Sequence, residues 1–183
     1  DRRAATESWP PNLTRAAARL QPRGVVVVRV TEGQPLPFAD DSFALVSSRH
    51  PVAVDWAEVS RVLAPGGSYL AQHVGPASAF ELVEEFLGPQ PTEIRSRRDP
   101  EVEASEARAA GLDVVDLRTE RLRIEFYDVG AIVWFLRKVI WLVPGFDSAS
   151  HRERLQSLHE RLQEGPFVAH SSRTLIEARK PRR

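Results

Sequence analysis

Cysteine and methionine are both absent from the 183 residues. The first absence excludes disulfides, a thiolate nucleophile and thiolate metal ligation, and makes the cytoplasm the expected setting. The second is unusual in a chain of this length and is one of two reasons to expect that the native protein begins upstream of Asp1. Net charge is lacking too. Twenty-five basic residues balance 25 acidic ones, so no overall field draws the chain to nucleic acid or to an anionic membrane. Glycine is sparse at 10 residues, and nowhere does it form a G-x-G loop that would let backbone approach a ligand closely. The most hydrophobic stretch, Val129 to Phe146, carries Arg137 and Lys138 at its middle and ends at Pro144-Gly145. It is not a membrane span, and no membrane partner is expected.

What is present is one domain, residues 1–183, organised around Leu36 to Gly75. Pro37 and Asp40-Asp41-Ser42 are turn chemistry. Phe43 to Val46 is an apolar run without alternation, as in a strand covered on both faces. Val54, Trp56, Val59, Val62 and Leu63 fall mostly at helical spacing, and Asp55 is placed to cap the helix that Trp56 opens. Pro65-Gly66-Gly67 stops that helix and Ser68 to Val74 is a second apolar strand. Strand, helix, strand in about forty residues makes a βαβ unit with a parallel sheet. Elsewhere, Ala4 to Thr6 reads as the tail of a strand with Glu7 at its carboxyl end, Asn12 as the cap of a helix to Leu20, and Val25 to Val30 as a strand. Further helices are expected over Ala77 to Leu87 and Pro100 to Ala110, the latter ended by Gly111. Pro89 to Pro100 reads as a mobile surface loop. Strands are expected over Val114 to Leu117, Leu122 to Phe126 and Arg173 to Ala178.

The residues Leu36, Pro37, Phe38, Asp41, Ser42 and Phe43, followed by Glu58, Val59, Arg61, Val62, Leu63, Pro65, Gly66 and Gly67, resemble the middle of the class I S-adenosylmethionine-dependent methyltransferases, type 11-like. The resemblance covers about Thr6 to Gly75. It implies a Rossmann-like, doubly wound α/β fold: a mostly parallel seven-stranded sheet with an antiparallel last strand. The family's first strand, glycine-rich loop and first helix have no counterpart here. An N-terminal segment carrying them is therefore expected, since a gap in mid-sheet leaves buried backbone groups unpaired.

The resemblance also assigns roles. S-adenosyl-L-methionine is the implied cofactor. Glu7 matches the acidic residue whose carboxylate accepts from the two ribose hydroxyls, an acceptor-only group facing a diol; an exposed loop glutamate is the plain alternative. Trp9 is placed against the adenine face, or else plugs a gap beneath its loop, and Ser8 and Gly33 join the same cofactor group. Glu32 matches an acidic position that meets the adenine amino group, where the family usually has Asp. Ligands of open α/β sheets lie at the carboxyl ends of strands, which brings Ser48 and Arg49 to the reacting centre as cofactor contacts, Arg49 alternatively meeting the substrate or bracing its loop, and Gln72 and His73 as substrate contacts. His50 is the candidate base or acceptor-orienting group. Residues 128–165 form a helical insertion before the last strand, read either as a lid with Trp134, Phe135 and Trp141 as walls or as plain packing or a dimer face. The five histidines, His50, His73, His151, His159 and His170, lack metal-ligand spacing, so no metal is expected. The expected activity is methyl transfer to a small-molecule acceptor. The alternatives are methylation of ribosomal RNA, with Arg95, Arg97 and Arg98 on phosphate, and a catalytically silent binding or regulatory protein. A homodimer is kept open.

Overall fold

The computed structural model describes residues 3–31 and 33–182. The chain opens with strand β1 (Arg3–Glu7), helix α1 (Pro10–Leu20), a 3-10 turn over Gln21–Arg23 and strand β2 (Val25–Arg29). β1 and β2 pair in parallel, with Glu7 opposite Arg29. Asn12 lies inside α1 and not at its cap. The cap is Trp9, extended and without a side-chain bond, and Pro10 supplies the first helical φ. Gly24, at φ +72°, ends the 3-10 turn in the left-handed region.

Strand β3 (Phe43–Arg49), helix α2 (Trp56–Val62) and strand β4 (Leu63–Val74) form the expected βαβ unit. Asp55 caps α2 by accepting from the Glu58 N–H at 3.0 Å. The Pro65-Gly66-Gly67 turn lies inside β4 rather than before it. It is paired by the last strand's tail, through Gly66 N–H to Lys180 O and Lys180 N–H to Gly67 O, both 2.9 Å.

After β4 the backbone runs irregularly from Gly75 to Ala79, with Ala77 and Ala79 at positive φ. Those residues continue the sheet, Gly75 and Ala79 donating to Ser172 O and His170 O. Helix α3 therefore starts at Phe80 (Phe80–Leu87), not at Ala77. The expected loop after it contains a short helix, α4 (Thr92–Arg95), and α5 spans Pro100–Ala109. The two short strands expected next are one long strand, β5 (Asp113–Phe126), which pairs antiparallel along its length with β6 (Phe167–Arg179).

The four-stranded sheet has the order β3-β4-β6-β5, parallel only between β3 and β4, and β1-β2 form a separate sheet. Six strands in two sheets thus replace the expected single seven-stranded sheet, and no ladder joins the two sheets among the described residues. The antiparallel last strand is as expected.

Two cores follow. Trp56, Val59, Leu63, Tyr69, Ala107 and Ile176 fill the space between the sheet, α2 and α5. The outer half of the β5–β6 hairpin carries a second core. There α6 (Val129–Lys138) and α7 (Arg152–Arg161) bury Ile132, Leu136 and Leu158 against Leu82, Phe126 and Ala169. The insertion over 128–165 is held by this core.

Arg61 ties the amino ends together. Its guanidinium donates to Leu36 O (3.0 Å), Phe38 O (2.7 Å), Asp40 Oδ1 (2.7 Å) and both Glu58 oxygens, while Glu58 accepts from Leu36 N–H at 2.6 Å. These bonds hold the guanidinium pKa above its already high value. A lysine supplies one ammonium where a planar fork serves four partners. Arg61→Lys is expected to lower the urea midpoint of unfolding; an unchanged midpoint shows that the clamp carries no stability.

Candidate active site

β3 and β4 run in the same direction and finish side by side, Arg49 opposite Gln72. His50 turns the chain away at φ +53°, an uncommon conformation for a non-glycine residue. The turn is held twice: His50 N–H donates to Gln72 O at 2.7 Å, and its Nε2 lies 3.2 Å from Gln72 Oε1. His50, Gln72 and Arg49 therefore meet as the sequence expected. Burial, then Arg173, Arg49 and Arg98, lower the His50 pKa, against the Gln72 hydrogen bond. The ring is thus kept neutral, able to accept a proton or a hydrogen bond at physiological pH.

Successive strand residues face opposite sides, and Ser48 and His73 point the other way. His73 is 2% exposed and is not an open substrate contact. Its Nδ1 lies 2.6 Å from Glu103 Oε2 of α5, its Nε2 3.1 Å from Tyr69 Oη, and Tyr69 Oη 2.6 Å from Ser48 Oγ. A carboxylate only accepts, so Nδ1 donates to Glu103 and Nε2 accepts from Tyr69. Tyr69 then accepts from Ser48, whose proton is committed inward and whose lone pairs remain for a ligand's donor. Burial pushes the Tyr69 phenol up to about 12, reinforced by the Glu103 charge and opposed by the Ser48 hydrogen bond. Alternation along Tyr69, Ala71 and His73 carried the sign of this buried row; the sequence reading left the face of His73 open.

Glu7 stands at the carboxyl end of β1. Its Oε1 accepts from Ser8 and Trp9 N–H, both at 2.9 Å, which leaves Oε2 without a partner among the described residues. Trp9 is 57% exposed. Gly33 adopts φ +74°, and Glu32 lies outside the described residues. Trp134 and Trp141 are exposed on and after α6, Trp134 beneath the Lys138 ammonium, and only Phe135 packs inward, against Phe126 at 5.4 Å. Neither tryptophan lines the cavity of about 550 Å³ between α3, β5 and β6, whose walls include Pro76, Phe80, Arg95, Thr119, Arg121 and Arg173. Arg173 was missed from sequence because only the β4–β6 register, Val74 opposite Arg173, brings it to this end of the sheet.

Two outcomes test the geometry. Tyr69→Phe breaks the buried chain and is expected to cost about 1–3 kcal/mol by urea unfolding; no change would mean that the chain is idle. His50 starts from an ordinary value of 6.5, which the fold lowers. Its contribution to stability is whole above 6.5 and is lost as pH falls through the lowered value, because the unfolded chain takes up the proton that the folded ring resists. Midpoints measured from about pH 7 to about pH 5 should fall, and His50→Gln should flatten the slope.

Residues 2–71 match the family model described as a methyltransferase domain. No curated protein is matched by the sequence. Among solved structures, a Bacillus halodurans C-125 protein whose methyltransferase activity is inferred is 19% identical, with 99% of this chain aligned to 84% of that one at a TM-score of 0.63. The [4+2]-cyclase SpnF is 17% identical over 100% of this chain and 67% of its own, at 0.58. Haemonchus contortus phosphoethanolamine N-methyltransferase 2, solved with phosphomonomethylethanolamine and S-adenosylhomocysteine, is 15% identical over 98% of this chain and 43% of its own, at 0.52. At these identities the structures speak for fold. Residues 2–71 thus carry the methyltransferase-domain pattern, and the chain shares the fold of these structures.

Proposed function

We propose that this protein transfers the methyl group of S-adenosylmethionine to a small-molecule acceptor at the carboxyl ends of its parallel strands. The observation that carries the reading is Glu7. It ends β1 with one carboxylate oxygen held by two backbone N–H groups and the other open, a fit for the vicinal hydroxyls of a ribose. In this reading Glu7 holds the ribose and Trp9 the adenine. When bound, the cofactor supplies an electrophilic methyl on a sulfonium.

The rest falls to the chain's own groups. In-line displacement is governed by proximity and alignment. Gln72 holds the His50 ring by Oε1 at 3.2 Å. The neutral ring accepts the proton of an acceptor hydroxyl or amine. Arg49 is left for an anionic group of either ligand. The helical insertion over 128–165, packed on the outer half of the β5–β6 hairpin, is a candidate lid.

The cyclase among the fold neighbours favours a second reading, in which the fold serves binding or another chemistry without methyl transfer. RNA methylation is supported less, since Arg95, one of its three arginines, is paired with Glu84. Calorimetry with S-adenosylhomocysteine separates the readings. Binding is expected, and Glu7→Ala should weaken it by about 1–3 kcal/mol, the loss of one charged hydrogen-bonding group. Unchanged affinity removes Glu7 from the site, and no binding by the unaltered protein removes the cofactor.

A further inference from the structure

The cavity of about 550 Å³ between α3, β5 and β6 has the size of a small-molecule pocket. Its wall begins at Pro76, just beyond the carboxyl end of β4. Alternation sets its floor. Thr119 and Arg121 of β5 and Ser172 of β6 lie on the hairpin face that carries Leu117 and Ile176 into the first core, with Arg121 opposite Ser172 and Thr119 opposite Thr174.

The hydroxyls of this floor lack partners. Ser172 is 8% exposed and Thr174 1%. Thr174 Oγ1 has no hydrogen bond. Ser172 is bonded through its backbone alone among the described residues: its N–H donates to Ser78 Oγ at 3.2 Å, and its carbonyl accepts from Gly75 N–H and from Arg173. Gly75 keeps the space above the two hydroxyls open, since a Cβ there would stand 3.1 Å from Ser172 Cβ and 3.4 Å from Thr174 Oγ1. Buried hydroxyls without partners are costly, and a serine so placed in a cavity wall marks where a ligand completes the bonding.

The facing wall is built from α3 and α4. Phe80 supplies an apolar ring, with the Arg95 guanidinium 5.7 Å from its centre and paired with Glu84. Glu81 pairs with Arg121 at 2.9 Å and is fixed further by His170, through Nδ1 at 2.7 Å and N–H at 3.1 Å. The remaining charges of the wall, Glu120 and Arg173, have opposite signs and stand opposite each other in the ladder. Three acids thus meet three bases, and the cavity has no net charge to select an ion. Its polar atoms are not used up. Among the described residues Arg121 donates through Nη2 alone, and Glu84 accepts through Oε1 alone. Donors, acceptors and hydroxyls therefore surround one space beside one aromatic ring. A hydroxyl both donates and accepts, so a molecule carrying several of them matches this wall without disturbing either ion pair.

We infer that the cavity binds a neutral polyhydroxylated group, a sugar or polyol, as the part of the methyl acceptor that is recognised. This deepens the methyl-transfer reading and rests on it for the role of acceptor. The cavity and the His50–Gln72 pair share the carboxyl end of β4, so recognition beyond the strand end leaves the reacting group to the pair.

The test is NMR with glucose, galactose and myo-inositol, each added to the free protein and to protein saturated with S-adenosylhomocysteine. One of the three at least is expected to bind in both states and to shift the amide resonances of Thr119, Arg121 and Ser172. Thr119→Val and Ser172→Ala each remove a hydroxyl at nearly constant shape and should weaken binding roughly tenfold. Arg118→Gln, on the other side of the pleat and paired with Asp116, should leave it unchanged. If Ser172→Ala does not fold by circular dichroism, the exposed Thr119→Val decides. No response to any of the three, or a response that both hydroxyl variants keep in full, overturns the inference. Tighter binding of acetate, inorganic phosphate or ethylammonium overturns the neutral class. Displacement of the sugar by S-adenosylhomocysteine gives the cavity to the cofactor and overturns it too. Sugar binding by a protein that does not bind S-adenosylhomocysteine is a different result: it upholds the site and removes the methyl-transfer reading, with the acceptor role.

Discussion

The guanidinium of Arg61 is the constraint from which the active end of the molecule takes its position. One planar group closes the carbonyls of Leu36 and Phe38, the carboxylate of Asp40 and both oxygens of Glu58. The loop entering β3 is thereby fixed to the helix that leads into β4. Lys180 extends the seam from the last strand, its ammonium reaching Asp41 Oδ1 and Ser60 O. All of this lies at the amino ends of β3 and β4. With those ends pinned, the register of Ser48 against Ala71 and Arg49 against Gln72 follows, and the chemistry-bearing side chains appear together at the far end. The motif residues are therefore structural, and they serve the site from a distance.

The strand ends divide the work between two faces. One faces α2 and α5, where Ser48, Tyr69, His73 and Glu103 form a chain with donors running one way. A buried polar chain is tolerable only when every member is satisfied, and here each is. The other face carries His50, Gln72, Arg49 and Arg173, partly exposed and without acidic partners. A rigid, satisfied row beneath and an unsatisfied row above is the arrangement expected of a site that holds its shape before the ligand arrives.

Local chemistry was the legible part of the sequence. Asp55 before Trp56, Gly111 after α5 and the apolar runs of β2, β3 and β4 declare themselves within a few residues, and each is found where expected. Errors arose where distant partners decide. Ala77 to Ala79 has helical composition, but bonds to His170 and Ser172 draw that backbone into the sheet. Asn12 is a good cap by type, but Pro10 had already started the helix. The exposed middle of β5, with Arg118, Glu120, Arg121 and Arg123 outward, broke the apolar pattern, so one strand of 14 residues read as two. The strand-end positions of Glu7 and His50 were legible because strand termini follow from where apolar runs stop. The inward face of His73 and the arrival of Arg173 depend on register, which no local pattern records.

Overall neutrality is a poor guide to the partner because charges act in place. Twenty-five of each sign suggest a surface without preference, yet among the described residues only eight arginines lie against a carboxylate. Arginines left without a carboxylate set the local potential, and screening by solvent is weakest where they are half-buried. Arg173 is such a residue, and its choice of Ser78 and Ser172 over the adjacent Glu120 leaves its charge pointing at the strand ends and not across the hairpin.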